Sequence, residues 1–217
     1  LEARLDEITR GMREFHYGRF DLRFLSTEAL MRGEDFRIVE IGGVGSAAVQ
    51  IAKAAGARVI AAVSSADKAA FCTELGADMS IDLSHQDLRG ALKTAQVSPD
   101  VVLDPVGGEL AEAAFRSIAW RGRYLVIGFA AGPIPALPLN LALLKGASIV
   151  GVFWGDFARR EPKAFQQGLA QLFTWYAQGA VKPAIDAKLP MTALPEAYER
   201  MASRRVHGKL LVVNHPV

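Results

Sequence analysis

Phe36-Arg-Ile-Val-Glu-Ile-Gly-Gly-Val-Gly-Ser-Ala-Ala-Val-Gln-Ile-Ala-Lys-Ala-Ala-Gly56 is the stretch whose reading decides the fold. Its first six residues are mostly apolar and partly β-branched, the composition of a strand. Its last ten, from Ala47, are small and helix-forming. Between them lies Gly42-Gly43-Val44-Gly45-Ser46. Strand, glycine-rich turn and helix in that order suggest a cradle for a dinucleotide pyrophosphate. Backbone comes close to phosphate only where no Cβ intervenes, and the first N–H groups of the following helix point at the anion. A tight turn between any strand and helix reads the same way. Ala47, Ala48, Ala52 and Ala55 suit close packing on a sheet, the task usually given to the third glycine of the full fingerprint. Gln50 and Lys53 are expected to mark the polar edge of that helix.

Downstream the pattern alternates. Strands are expected at 37–41, 58–63, 79–82, 100–104, 122–127 and 147–153, with helices at 46–55, 66–75, 86–95 and 108–119. Strands separated by helices imply βαβ units and a parallel, doubly wound sheet. The runs Arg58–Val63 and Asp100–Asp104 are nearly continuous in apolar character, as for strands buried on both faces. A long amphipathic helix at 163–178, a helix near 195–203 and a strand Lys209–Val213 complete the reading.

Upstream the composition changes. Of the first 40 residues 16 are charged, against 22% for the whole chain, and all seven bases are arginine. Leu1, Leu5, Ile8 and Met12 mark an amphipathic helix. Phe20, Leu22 and Phe24 alternate with Asp21 and Arg23 as in a half-buried strand within Phe15–Leu25. Ser26–Gly33 reads as a short helix between a cap and a glycine stop. The expected division is therefore an α+β extension over residues 1–41 and a larger α/β domain over 42–217.

The chain has 217 residues, a formal net charge of +2 and one cysteine, Cys72. The charge and the absence of a Lys/Arg-rich run give no reason to invoke nucleic acid or an anionic membrane. One cysteine excludes an internal disulfide framework and a multi-cysteine zinc site. His16, His85, His207 and His215 lack ligand spacing, so no metal site is expected. Apolar stretches such as 124–139 are broken by glycine and proline, short of a membrane span. The N-terminal Leu-Glu-Ala-Arg-Leu-Asp-Glu is no signal peptide and has no initiator methionine. The expectation is a cytoplasmic protein that is a processed product or a fragment.

The second strand carries the cofactor preference. It ends Val63-Ser64-Ser65-Ala66-Asp67-Lys68, where an NAD site places an acid for the ribose 2′-hydroxyl. Two hydroxyls and a cation suit a 2′-phosphate, so NADP(H) is expected. Ser64 or Ser65 capping the next helix is the structural alternative, and both can hold at once. Asp104-Pro-Val-Gly-Gly108 and Ile127-Gly-Phe-Ala-Ala-Gly132 follow later strands, at the carboxyl ends where open α/β sheets bind ligands.

Taken in order, GGVGSAAVQIAKAAGARVIA, SSADK, LGAD, DVVLDPVGG, WRGRYLVIGFAAG, PLNLALLKGASIVGVFWG and HGKLLVV resemble the C-terminal half of zinc-independent quinone oxidoreductases of the medium-chain dehydrogenase/reductase superfamily. The resemblance covers residues 42–217. It implies a Rossmann domain, with Gly43, Val44 and Gly45 under the pyrophosphate and Ser64, Ser65 and Lys68 near the adenosine phosphate. It places Gly128, Phe129, Phe153 and Trp154 on the nicotinamide side, and Lys209 in a C-terminal motif that reaches back to the cofactor. It implies hydride transfer to a quinone or an enone, and a homodimer built on the strand around Ile149–Phe153. That family carries a GroES-like catalytic domain before the glycine loop. Here only about 41 residues precede it, so this domain is expected to be absent, the protein shortened, and no catalytic residue is named. The family also has a glycine and small residues where this chain has Val39, Glu40 and Ile41.

FHYGRFDLRF and DFRIVEI followed by glycine resemble the last part of an ATP-grasp domain, covering residues 1–46. That resemblance implies an acid and a Glu-x-Asn facing Mg²⁺ and ATP phosphates. Asp21 and Glu40 occupy the acid positions, while Gly42 stands where the asparagine would be; solvated strand carboxylates are the plainer reading. Two resemblances meeting within Gly43–Ser46 suggest a chimera. The chain is thus open to three functional readings: an NADPH-linked oxidoreductase, a non-catalytic Rossmann scaffold that dimerises, and an ATP–Mg²⁺ ligase fragment.

Overall fold

The computed structural model describes residues 22–24, 36–38, 44–203 and 206–213, the first two segments by their backbone. The expected helices at 1–12 and 26–33, and residues Asp21, Glu40, Ile41, Gly42 and Gly43, lie outside the described residues. Two compact units result: Leu1–Ser46 with Pro183–Val217, and Ala47–Lys182.

In the first unit, β1 (Leu22–Phe24) and β2 (Phe36–Ile38) pair antiparallel, with Leu22 opposite Ile38 and Phe24 opposite Phe36. Helix α1 (Val44–Ala54) begins in this unit and runs into the second.

The second unit alternates strand and helix: β3 (Ile60–Val63), α2 (Ala66–Glu74), β4 (Met79–Asp82), α3 (Leu88–Thr94), β5 (Val101–Asp104), α4 (Leu110–Ser117), β6 (Arg123–Val126), α5 (Leu139–Lys145), β7 (Ser148–Gly151), α6 (Trp154–Arg160) and α7 (Pro162–Ala177). Every strand pair here is parallel. One ladder is β3–β4, the other β5–β6–β7. This is a Rossmann-like α/β fold, as the alternating pattern predicts.

The two ladders are joined through helices. Ile81, Leu88 and Leu92 form one buried cluster, onto which Ala113 and Ala114 of α4 pack. Ala111, Phe115, Ile118, Tyr124 and Leu141 form the next cluster, again touching Ala114. Complete burial of a side chain such as Phe115 contributes about 1.5–3 kcal/mol. Phe115 also meets the Tyr124 ring edge-on, with centroids 5.6 Å apart.

The first unit continues with β8 (Ile185–Pro190), the 3₁₀ turn Met191–Ala193, α8 (Leu194–Ala202) and β9 (Lys209–Val213). β8 and β9 pair in parallel around a core of Leu194, Ala197, Leu210 and Val212. Gly208, before β9, has φ +103°, and a Cβ there would collide with the Ala184 carbonyl oxygen, so only glycine fits.

Three elements escape the sequence pattern: α5, α6 and β8. Leu139, Leu141 and Leu143 alternate as a strand would, yet the segment is helical. Pro138 stands at its start and Gly146, in the left-handed region, ends it. Two expectations are corrected. Val101 and Leu103 are each 42% exposed, so β5 is not buried on both faces. Its Val102 face packs on α4, but among the described residues β5 is paired on its β6 side alone. Gln50 is not on a polar edge. It is buried, and its side-chain oxygen accepts a 2.7 Å hydrogen bond from the Lys182 backbone N–H. Lys53 does reach outward, to Asp78 at 2.9 Å.

Candidate cofactor site

Parallel pairing brings strand ends together, because every strand of a ladder finishes on the same edge. At the end of β3, Ser64 and Ser65 divide two tasks. Ser65 is the N-cap of α2, its hydroxyl accepting from the Lys68 backbone N–H at 3.4 Å. The exposed Ser64 hydroxyl instead accepts from the Lys68 ammonium at 3.2 Å. The first turn of α2 also carries the exposed Asp67.

Beside this edge, at the end of β4, lies a compact polar group. The Ser84 hydroxyl donates to Asp82 Oδ1 at 2.6 Å, and His85 Nδ1 lies 3.2 Å from Asp82 Oδ2. Bonds from the Ser84 hydroxyl and backbone N–H, aided by His85, hold the Asp82 carboxyl below its ordinary value. The Leu83 backbone N–H donates to the Val63 carbonyl at 2.8 Å, which keeps this turn against the β3 terminus.

The other ladder presents two turns bound to each other. Asp104 ends β5. Its Oδ1 accepts from the backbone N–H groups of Val106 and Gly107, both at 2.8 Å. Its Oδ2 accepts a hydrogen bond from the Tyr124 hydroxyl. Burial, reinforced by Asp104, pushes the Tyr124 phenol well above its usual range. The Asp104 backbone carbonyl accepts from Ile127 and Gly128 N–H, the Pro105 carbonyl from Ala130, and the Val106 carbonyl from Ala131. Gly107 and Gly108 both have positive φ. A Cβ on Gly107 would stand 3.0 Å from the Phe129 ring, and one on Gly108 the same distance from the Ala131 Cβ. Phe129 is thus seated on Gly107 and remains 40% exposed.

Val152 N–H donates to the Val126 carbonyl at 3.0 Å, which carries β7 onto the same edge. Phe153 follows, 77% exposed, and then Trp154, whose ring meets Phe165 edge-on at 5.5 Å. Val44 and Gly45 open α1, which has no acid in its first turn; a Cβ on Gly45 would meet nothing within 4 Å. Lys209 stands in β9 of the other unit, its backbone N–H bonded to the Ala184 carbonyl at 2.8 Å.

The structure therefore brings Ser64 to Lys68, Ser65 to the α2 N-terminus, and Gly128 and Phe129 onto the Asp104–Gly108 turn. It sets Phe153 and Trp154 beyond the adjoining strand. Asp104, Tyr124, Asp82, Ser84 and His85 are additional polar groups at these edges. A signal for Asp104 was present in the sequence: an acid ending an apolar strand just before Pro-Val-Gly-Gly. Among the described residues, no group of three or more His, Cys, Asp or Glu side chains is placed to hold a metal ion.

Parallel ladders whose carboxyl edges carry glycine turns, hydroxyls and a cation define a Rossmann-like domain. Residues 43–175 match the family model described as zinc-binding dehydrogenase, and the chain belongs to that family. The chain is 33% identical over 174 residues to mouse quinone oxidoreductase-like protein 2, covering 79% of this chain and 50% of the relative. It is similar to the solved quinone oxidoreductase of Pseudomonas syringae pv. Tomato DC3000, at TM-score 0.70 and 31% identity over 79% of this chain and 54% of that one. The Escherichia coli quinone oxidoreductase solved in complex with NADPH matches at TM-score 0.70 and 28% identity, again over 79% and 54%. The chain spans about half the length of the relatives it matches. The family match begins at Gly43, close to where the composition changes, and none of these relatives is an ATP-grasp protein.

Proposed function

We propose that this chain binds NADP(H) and forms the cofactor half of a quinone or enone reductase. The observation that carries the reading is the Ser64–Lys68 pair at the end of β3, an exposed contact between two polar groups where a 2′-phosphate is recognised. The donor set fits a dianion: a hydroxyl, an ammonium and the capped α2 N-terminus. Gly43, Val44 and Gly45 would hold the pyrophosphate. Gly128 and Phe129, with Phe153 and Trp154, would line the nicotinamide. A nicotinamide bound there supplies a hydride to a quinone or an α,β-unsaturated carbonyl. The residues of this chain would orient the ring; none is assigned a proton transfer. A cytoplasmic location accords with this reading.

A second reading is a scaffold that pairs with a second copy through β7. It is favoured by Ile149 and Val150, exposed on β7, and by the exposed Val152 just after it, β7 ending its ladder among the described residues. The ATP-grasp and chimera readings rest on the sequence resemblance of residues 1–46 and the composition change, and no relative named above supports them. Separate titrations with NADPH and with ATP–Mg²⁺, followed by fluorescence and thermal shift, distinguish all three. Saturable NADPH binding that weakens in Lys68→Ala supports the first. No response to either ligand at millimolar concentration leaves the scaffold, whose dimer sedimentation would reveal. A response to ATP–Mg²⁺ alone favours the ligase fragment. One continuous read of the native locus tests the chimera.

A further inference from the structure

The Tyr124–Asp104 contact is more than core packing. Tyr124 is 1% exposed and its ring is already held by Phe115. A phenylalanine would bury the same ring, so the hydroxyl has a separate use. Its acceptor is the half-buried Asp104 carboxylate at a strand end, whose two oxygens can each accept more than one hydrogen bond. One oxygen accepts from Val106 N–H and Gly107 N–H, the other from the Tyr124 hydroxyl. Tyr124 and Asp104 lie on the same face of the β5–β6 ladder, since Tyr124 pairs with Val102 and Val126 with Asp104. The hydroxyl thus reaches diagonally from inside β6 to the carboxylate that folds the β5 turn. That turn carries Gly107, the seat of the Phe129 ring, on the loop that leaves β6.

We propose that Asp104, fixed by the Tyr124 hydroxyl, is a positioning residue for the nicotinamide end of the cofactor: it sets the Pro105–Gly108 turn against which Phe129 rests. This role rests on the NADP(H) reading above. Asp104 acts through the turn and Tyr124 acts through Asp104. Losing the hydroxyl leaves one carboxylate oxygen without its donor, and the carboxylate can then rotate away from the two N–H groups. The Phe129 seat loosens, while Ser64 and Lys68, on the other ladder, keep their geometry.

The test compares two probes that share the adenosine end. NADPH occupies both ends of the site; 2′,5′-ADP occupies the adenosine end only. Binding of each is measured by calorimetry for the unmodified protein, Tyr124→Phe and Asp104→Asn, with urea midpoints as a check on folding. The expected result is a loss of NADPH affinity of about five- to tenfold in Tyr124→Phe, the scale of one hydrogen bond, with 2′,5′-ADP affinity unchanged. Asp104→Asn replaces the charged acceptor of the two turn N–H groups by a neutral one and is expected to lose at least as much NADPH affinity as Tyr124→Phe, again with 2′,5′-ADP affinity unchanged. Equal weakening of both probes would make the pair a general stabiliser, and unchanged NADPH affinity would remove its positioning role; either overturns the inference while leaving the cofactor reading intact. An unmodified protein that binds neither probe overturns the cofactor reading itself, and this inference with it.

Discussion

The two strand-end regions of the α/β unit are built from different materials. At the end of β3, side chains make the contact: Ser64 and Lys68 meet across four residues at an exposed position. At the ends of β5 and β6, backbone makes most of it: four carbonyl–amide bonds and two close glycine contacts join the turns, and a buried tyrosine anchors them. The first region is cheap to alter, because exposed side chains carry little folding energy. The second is stiff, because each change disturbs several bonds at once. The proposed reductase role would use this contrast: an adenosine end that selects the cofactor, and a nicotinamide end that holds a reacting ring within tight limits.

The contrast breaks most visibly at Gly107. Gly107→Val places a branched side chain at φ +67° and about 3 Å from the Phe129 ring. A loss of about 1–3 kcal/mol in stability is expected, together with NADPH binding reduced beyond about tenfold. Urea unfolding and NADPH titration check both, and an unchanged urea midpoint would mean that the turns are not zipped as described.

Lys68→Ala probes the other region. NADPH affinity is expected to fall about 10- to 100-fold, the range for a hydrogen bond to a charged group, with NADH affinity little altered and stability within about 0.5 kcal/mol. Parallel loss of NADH binding would show that Lys68 does not read the 2′-phosphate.

The neighbouring serines sharpen the same point. Ser65→Ala removes the α2 cap and is expected to cost about 1 kcal/mol in thermal unfolding. Ser64→Ala is expected to leave stability alone and weaken NADPH binding. If the two variants exchange these effects, the division of tasks at this junction is reversed.

The smallest effect concerns pH. The Asp78 carboxyl is held below its ordinary value, first by the Val59 backbone N–H and then by Lys53. A depressed folded value means that the contribution is present above the unfolded pKa of about 3.9 and is lost as pH falls through the folded one. The thermal midpoints of the unmodified protein and Asp78→Asn should therefore differ near neutrality and converge in acid. A gap that persists at low pH would point to packing instead.

Much of this was legible from the chain. β4 and β9 fall at the expected residues, and helices α1 to α4, α7 and α8 fall within two residues of their expected ends. The period of apolar residues specifies such elements because their own burial does. The short elements escaped for the opposite reason. α5 has seven residues and a strand-like alternation, and its caps rather than its periodicity decide its form. α6 contains Gly155 and is laced by Asp156 bonding both Arg159 and Arg160. The burial of Gln50 was hidden because its partner, the Lys182 N–H, is 132 residues away.

The site divides along the same line. Sequence by itself determined the strand–helix alternation, the serine–serine–lysine run after β3 and the glycines after β5 and β6, since those features act over a few residues. Tertiary structure alone decided which serine caps and which meets the lysine, that Asp82, Ser84 and His85 cluster beside Val63, and that Tyr124 reaches Asp104. The last two depend on the parallel register, which sets residues about 20 positions apart side by side at a strand spacing of about 4.8 Å. No local pattern encodes that adjacency; it appears only when the strands pair.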